Sequence, residues 1–397
     1  MVPAGRSLPV AEARTALVEP VEVVIAVHSP ERPVRRAVAS VLAAGTPGTV
    51  RATVVCHNMD ADPVRAALAG LSGNLPDGTV RVLELRDGIP SPAGPFNYGL
   101  EQAGAPWVAI MGSDDELEPG ALDAWRAAAT ASGAAAAIAP LRVRGGGRIL
   151  TPRARVLRGL RVDPVRDRLA YRTAPLGLIR RETLERLGLR LAPGLRTGED
   201  LEFGLRLWFS GEPIAYPAGA PCYLVGQDGG ERVTGAVLPL AEQFRDVSRL
   251  LAGRWLDRLP APAREAVAVK LLRGHVIGAA LRRGPDFDWT GSDRAELSRI
   301  IMDIVQLASR APRLLSAPDE ALLLSLRGIG GVPSAGDVSA ALRRRQAAGL
   351  LRRSLTRRWP DNFRRESPLR TNLNSMLAAA AGPLGRLPGL FRRKDAA

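Results

Sequence analysis

The chain has 397 residues, 46% hydrophobic and 24% charged, the composition of a folded protein long enough for two or three domains. Three scattered histidines (His28, His57, His275) exclude a His-built zinc hydrolase, and two cysteines (Cys56, Cys222) without ligand spacing point to a reduced compartment. The net charge of +15 is concentrated in residues 342–397, where fourteen Lys and Arg stand against three acids, leaving +4 for everything else.

Met1 to Pro20 lacks a basic start followed by an apolar core, so no secretory signal is expected. No apolar run reaches about 18 residues, so no membrane-spanning helix is expected either, and a cytoplasmic location is the simple expectation. Residues 21–27 form a short apolar run of the kind a buried parallel strand needs. A helix is predicted over 31–42: Val34, Val38, Val41 and Leu42 share a face, and Pro33 sits in the first turn, where its missing N–H matters little. Residues 52–56 read as a second strand, 63–71 as a helix, 80–85 as a third strand, 95–102 as a helix and 107–111 as a fourth strand. Gly112-Ser113-Asp114-Asp115 follows, and a helix opens at Pro119. This alternation predicts an α/β fold, a mostly parallel sheet with helices on both faces, in which ligands bind beyond the carboxyl ends of the strands.

Residues 134–141 read as one strand and 142–171 as a Gly- and Arg-rich loop over the sheet. A strand at 178–181, helices at 182–187 and 198–209, and strands at 213–216 and 222–225 complete this part. Helical spacing then takes over at 238–251, 263–281, 295–307, 319–326 and 338–355. The last residues mix Arg pairs with Pro and Gly and are expected to be partly disordered. The expected division is an N-terminal extension at 1–19, an α/β domain at 20–235, a helical domain at 236–340 and a basic tail at 341–397.

Two acid pairs are the candidates for chemistry. Asp114-Asp115, after a parallel strand, suits a hard divalent cation, Mn2+ or Mg2+, that offsets diphosphate charge. Glu199-Asp200, at a helix start, suits a base that takes a proton from a hydroxyl. Taken alone, each pair reads equally well as a helix N-cap favoured by the macrodipole.

In order and spacing the motifs are similar to a known family. Val24-Ile25-Ala26-Val27-His28-Ser29 resembles an opening strand usually written V-I-P-V-Y-N. Asn97-Tyr98-Gly99-Leu100 resembles R-N-x-G-[IL], and Gly112-Ser113-Asp114-Asp115 resembles D-S-D-D. Leu178-Ile179-Arg180-Arg181-Glu182-Thr183-Leu184 and Pro193-Gly194-Leu195-Arg196-Thr197-Gly198-Glu199-Asp200 continue the series. Residues 20–235 thus resemble the inverting family-2 glycosyltransferases of the GT-A fold.

The resemblance implies a sugar moved from a nucleotide-sugar donor of UDP or dTDP type to a hydroxyl of a cell-envelope glycan or lipid-linked acceptor. The displacement would be in line and inverting. It implies that Asp114 binds the metal with Asp115 beside it, that Asp200 is the base, and that Glu199 shapes the acceptor pocket. Val27, Glu31, Asn58, Asn97 and Asp115 are implied on the donor side. Three departures stand out: Gly112 replaces the first Asp of D-S-D-D, the second strand ends Cys56-His57-Asn58 rather than in acids, and Gly226-Gln227-Asp228 stands where a histidine ligand is customary. Asn58 could still read a base, and Gln227 or Asp228 could replace the histidine.

The Arg clusters at 343–345, 352–353 and 357–358, with Leu342, Leu350, Leu351, Leu355 and Trp359, suit a helix on an anionic membrane surface. A solvated basic face or a partner-binding helix explains them equally well. No nucleic-acid motif accompanies the charge, so no nucleic-acid partner is expected. Two rival functions are a nucleotidyltransferase, for which His28-Ser29-Pro30-Glu31-Arg32 is the wrong phosphate loop, and a catalytically degenerate glycan- or membrane-binding protein on the same fold.

Overall fold

The computed structural model describes residues 18–72, 75–155, 159–228, 238–328 and 330–384. Most of the expected N-terminal extension, and Arg386, Arg392, Arg393 and Lys394 of the tail, lie outside them.

The first half alternates as its apolar runs require: β1 (Val21–Val27), α1 (Val34–Ala43), β2 (Val50–His57), α2 (Asp62–Ser72), β3 (Val80–Leu85), α3 (Ala93–Gln102) and β4 (Trp107–Gly112). The strands lie in the order β3-β2-β1-β4, all parallel, with Val21 opposite both Val50 and Trp107. Strand side chains alternate between faces. Val21, Val23, Ile25 and Val27 therefore pack with Val34, Val38 and Val41 of α1 and Val64 and Leu68 of α2. Val24, on the opposite face, packs with Ala93 and Leu100 of α3. Both faces of β1 are thus covered, which is why its sequence is almost wholly apolar. Its one acid, Glu22, is buried but accepts from Thr53 Oγ1 at 2.6 Å and pairs with Arg81 at 2.6 Å, tying three strands together.

After β5 (Glu116–Leu117) and α4 (Ala121–Ser132) the structure departs from the sequence reading. Residues 134–141 are not one strand. Pro140, which has no N–H to donate, separates β6 (Ala136–Ile138) in the main sheet from β7 (Leu141–Val143) in a second sheet. The stretch 142–171 is not simply a loop: it holds part of β7, then β8 (Arg148–Ile149), β9 (Arg161–Val162) and a 3₁₀ turn at Leu169–Tyr171. β10 (Gly177–Arg180), α5 (Arg181–Arg186), α6 (Leu201–Trp208), β11 (Ile214–Ala215) and β12 (Tyr223–Val225) follow. The main sheet becomes eight-stranded, β3-β2-β1-β4-β10-β6-β11-β9, with β10 antiparallel to both neighbours. The second sheet runs β5-β12-β7-β8.

The rest is helical: α7 (Leu240–Gln243), α8 (Arg245–Ala252), α9 (Ala261–Lys270), a π turn (Leu271–Ile277), α10 (Gly278–Arg283), α11 (Gly291–Leu307), α12 (Ala317–Arg327), α13 (Ala335–Ala347), α14 (Leu350–Ser354), a 3₁₀ turn (Trp359–Phe363) and α15 (Pro368–Leu384). Thr290, Ser316 and Ser334 cap α11, α12 and α13 by accepting the N–H three residues on, each worth about 1 kcal/mol. The single helix expected over 338–355 breaks at Ala348-Gly349, both extended. The tail is folded through residue 384, and Leu342, expected on a membrane-facing stripe, is buried in the helical core instead. That core, including Phe244, Val247, Val267 and Ile301, also takes in Leu201 and Leu205 of α6 and Ala170, so the α/β and helical parts share one apolar interior. Among the described residues no helix is long and apolar enough to cross a membrane.

Candidate active site

Parallel pairing of β1 with β4 sets Ala26 opposite Gly112, so the segments leaving both strands must meet. There Arg32 donates from Nε to Ser113 Oγ at 3.1 Å and pairs through Nη2 with Asp114 Oδ1 at 2.7 Å. Arg36, in the first turn of α1, donates to the Asp114 carbonyl at 3.0 Å and pairs with Glu116 at 2.9 Å and Asp228 at 2.7 Å. Gly226 closes the third side: a Cβ there would stand 1.9 Å from the Asp114 carbonyl oxygen, so only glycine permits the approach.

The two adjacent acids have different duties. Asp115 points inward, accepting from Tyr223 OH on β12 at 2.5 Å and from Gly226 N–H at 2.7 Å. Burial pushes its carboxyl up to about 6, against the pull of those hydrogen bonds. A Cβ at Gly112 would lie 2.7 Å from Asp115 Oδ2, so this placement of Asp115 has no room for the customary acid at 112. The cap reading fails for both acids, because α4 starts later, at Ala121, behind Gly120. A hard divalent ion needs one or two carboxylates, with phosphate oxygens and water completing its shell. Asp114 fits such an ion. Asp115, with both oxygens engaged, does not fit as a ligand in this arrangement. Asp228 does not fit either: it is held by Arg36 and Arg144, and those bonds pull its pKa well below the ordinary range. Among the described residues, no three His, Cys, Asp or Glu side chains are grouped to hold a metal.

Asp200 is not a cap either. It occupies the residue before α6, but its side chain makes no capping hydrogen bond. Burial pushes its carboxyl up, opposed by Lys270 and Arg172. Burial, followed by the charge of Asp200, pushes neighbouring Glu199 up to about 7. The helical part supplies the floor. Asp246, on α8, lies so close under the turn that a Cβ on Gly198 would stand 2.2 Å from its Oδ2, and Gly198 has φ +80°. Burial pushes Asp246 up to about 7 and Lys270 down to about 8, while Asp200 and Asp246 hold the lysine up. Lys270 Nζ lies 2.6 Å from His275 Nε2, and burial, then the lysine charge, drives that histidine well below its usual value. The imidazole is therefore neutral and accepts from the ammonium.

Buried Arg172 lies within electrostatic reach of Asp200. It is fixed by donating to the carbonyls of Ala139 and Leu176, each at 3.0 Å.

The remaining expected residues are dispersed. Val27 is fully buried in the apolar core, so only its main chain can face a ligand. Glu31 is exposed beside Ser29. Asn58, at φ +54°, is engaged at both ends of its amide, accepting from Gly88 N–H at 2.9 Å and donating to Asp87 at 3.3 Å. It builds the strand-end turn rather than offering free groups to a base. Asn97 donates to Leu191 O and accepts from Leu191 N, both at 2.9 Å, so its amide fastens the segment at Leu191 to α3. Sequence reasoning missed Arg32, Arg36, Asp87, Tyr223, Asp246 and Lys270. For Arg32 and Arg36 the signal was present: two guanidinium groups four apart, directly after the first strand.

A family described as "Glycosyltransferase like family 2" matches residues 19–232. No curated protein matches the chain by sequence. Among solved structures, S. aureus TarS 1-349 in complex with UDP-GlcNAc superposes with a TM-score of 0.66 at 17% identity, covering 83% of this chain and 91% of that one. TarS 1-349 in complex with UDP gives 0.65 at 16%, covering 83% and 93%. Longer S. aureus TarS gives 0.65 at 15%, covering 82% of this chain and 55% of that one. At these identities the likeness concerns the fold.

Proposed function

The chain belongs to glycosyltransferase family 2 and has the GT-A fold, and from that premise we propose an inverting transfer from a UDP- or dTDP-type sugar to a hydroxyl of a cell-envelope glycan or lipid-linked precursor, on the cytoplasmic side of the membrane. The observation that carries this reading is the strand-end cluster of Arg32, Arg36 and Asp114 beyond β1 and β4, together with the buried Asp200, whose carboxyl burial pushes up. The donor diphosphate would lie against the N-terminal end of α1, where Arg32, Arg36 and the helix dipole supply positive charge. UDP and UDP-GlcNAc in the TarS complexes support a uridine donor.

In the proposed step the acceptor oxygen attacks the anomeric carbon, the bond from that carbon to the diphosphate oxygen breaks, and the hydroxyl proton passes to Asp200. Glu199 lines the acceptor side. An Mn2+ or Mg2+ ion held by Asp114 would stabilise charge on the departing nucleoside diphosphate. Transfer or hydrolysis measured across a panel of nucleotide sugars, with Mn2+, Mg2+ or chelator, tests the reading. Turnover of at least one donor is expected; binding of none would sink it.

Lys270 gives a pH-resolved test. Its charge lowers the pKa of Asp200, and a general base works only when ionised. Activity should therefore rise with pH, and Lys270→Met should move the rising limb to higher pH. Lys270→Arg should move it back. An unchanged limb in Lys270→Met would exclude the coupling.

A further inference from the structure

We propose that α14, the 3₁₀ turn at Trp359–Phe363 and α15 form a docking surface for an anionic lipid bilayer. Thirteen large apolar side chains are strongly exposed among the described residues, and seven of them fall in these three elements, so the exposure is concentrated rather than scattered. Leu350 and Leu351 are 82% and 74% exposed, Trp359 and Phe363 are 65% and 61%, and Met376 is 70%. Leu373, Met376 and Leu377 lie at helical spacing on α15, making one stripe. Trp359 and Phe363 stand edge to face with centroids 5.8 Å apart. The elements are joined: Asn372 donates to Ser354 Oγ at 3.4 Å, and Arg370 to the Phe363 carbonyl at 3.1 Å.

Charge selects the occupant. Residues 343–370 contain ten arginines and two acids. Of those acids, Asp361 is paired with Arg364 at 3.3 Å and Glu366 is buried. Arg352, Arg357, Arg358, Arg364 and Arg370 are exposed in the same three elements and the residues joining them. Exposed apolar groups with an aromatic pair, interspersed along the chain with exposed guanidinium groups, match the acyl boundary and the headgroups of an anionic leaflet. The surface is not the single amphipathic helix the sequence suggested. It is assembled from three elements tied to the body, where Arg273 donates to the Glu366 carbonyl at 3.0 Å and Arg168 to that of Arg365 at 2.6 Å.

Flotation of the full chain with vesicles tests this. Binding is expected to vesicles of phosphatidylcholine mixed with phosphatidylglycerol, and much less to phosphatidylcholine alone. Leu350→Ser combined with Trp359→Ala should lower partitioning at least about tenfold. Arg352→Glu, Arg357→Glu and Arg358→Glu together should lower it by roughly two orders of magnitude. Donor hydrolysis without vesicles should be unchanged in both variants, and matching melting temperatures should show that they fold. Equal binding to both vesicle types, no binding, or burial of the patch in a stable dimer during sedimentation would overturn the proposal, as would preferential capture by single-stranded RNA. Vesicle binding without sugar turnover would leave this surface standing and count only against the transferase reading.

Discussion

Asp200→Asn should lower kcat/KM for transfer about a thousandfold, roughly 4 kcal/mol of transition-state stabilisation, in the middle of the range for removal of a general base. The amide keeps the size of the carboxyl and removes only its ability to take a proton. Asp200 makes no capping hydrogen bond, so the substitution removes nothing of that kind from α6. Folding should survive, because the native carboxylate is penalised by burial and a neutral amide is not. Nucleotide affinity should be unchanged. The pH dependence is the sharper readout. With three carboxyls, Glu199, Asp200 and Asp246, pushed upward in one neighbourhood, wild-type activity should rise with pH above the ordinary carboxylate range, and the apparent value belongs to the cluster. That rise should vanish in Asp200→Asn. Retention of wild-type kcat/KM in the variant would remove Asp200 from the mechanism.

Asp114→Asn should lower kcat/KM by about a hundredfold or more and abolish any effect of Mn2+ on UDP affinity measured by calorimetry. A structural explanation has to be separated from this one, because Asp114 and Arg32 form a pair with each side chain only 13% exposed. Breaking such a pair leaves an uncompensated charge and costs up to about 3 kcal/mol of stability. Arg32→Met breaks the same pair from the other side. Both variants should melt earlier, but only Asp114→Asn should lose the metal dependence. If Arg32→Met loses it equally, Asp114 serves to hold Arg32 and nothing more.

The parallel half of the sheet was legible because β1, β2 and β4 are buried on both faces and read as largely apolar runs, while the edge strand β3 alternates apolar and charged residues. Two-residue strands such as β5, β8 and β9 carry too few side chains for any periodicity to register. The acid pairs were legible as positions but not as roles. Nothing in Gly112-Ser113-Asp114-Asp115 says that Asp115 will turn toward a tyrosine 108 residues away. Asn97 was legible as part of a motif, yet its amide fastens a loop, a task visible only once Leu191 is beside it. Lys270 left a faint trace. It lies among Val267, Ala268, Val269 and Leu271, where every neighbour is buried, and a lysine in that setting requires a partner.

The shared interior of α6 with α8 and α9 has an evolutionary consequence. Recombination that joined residues 18–228 to a foreign C-terminal half would leave Leu201 and Leu205 without their packing partners and Asp200 without Lys270. The heritable unit is therefore larger than the stretch matched by the family. Drift in the helical half is constrained from within the α/β half, and homologues with different helical companions should differ in the pH at which they work.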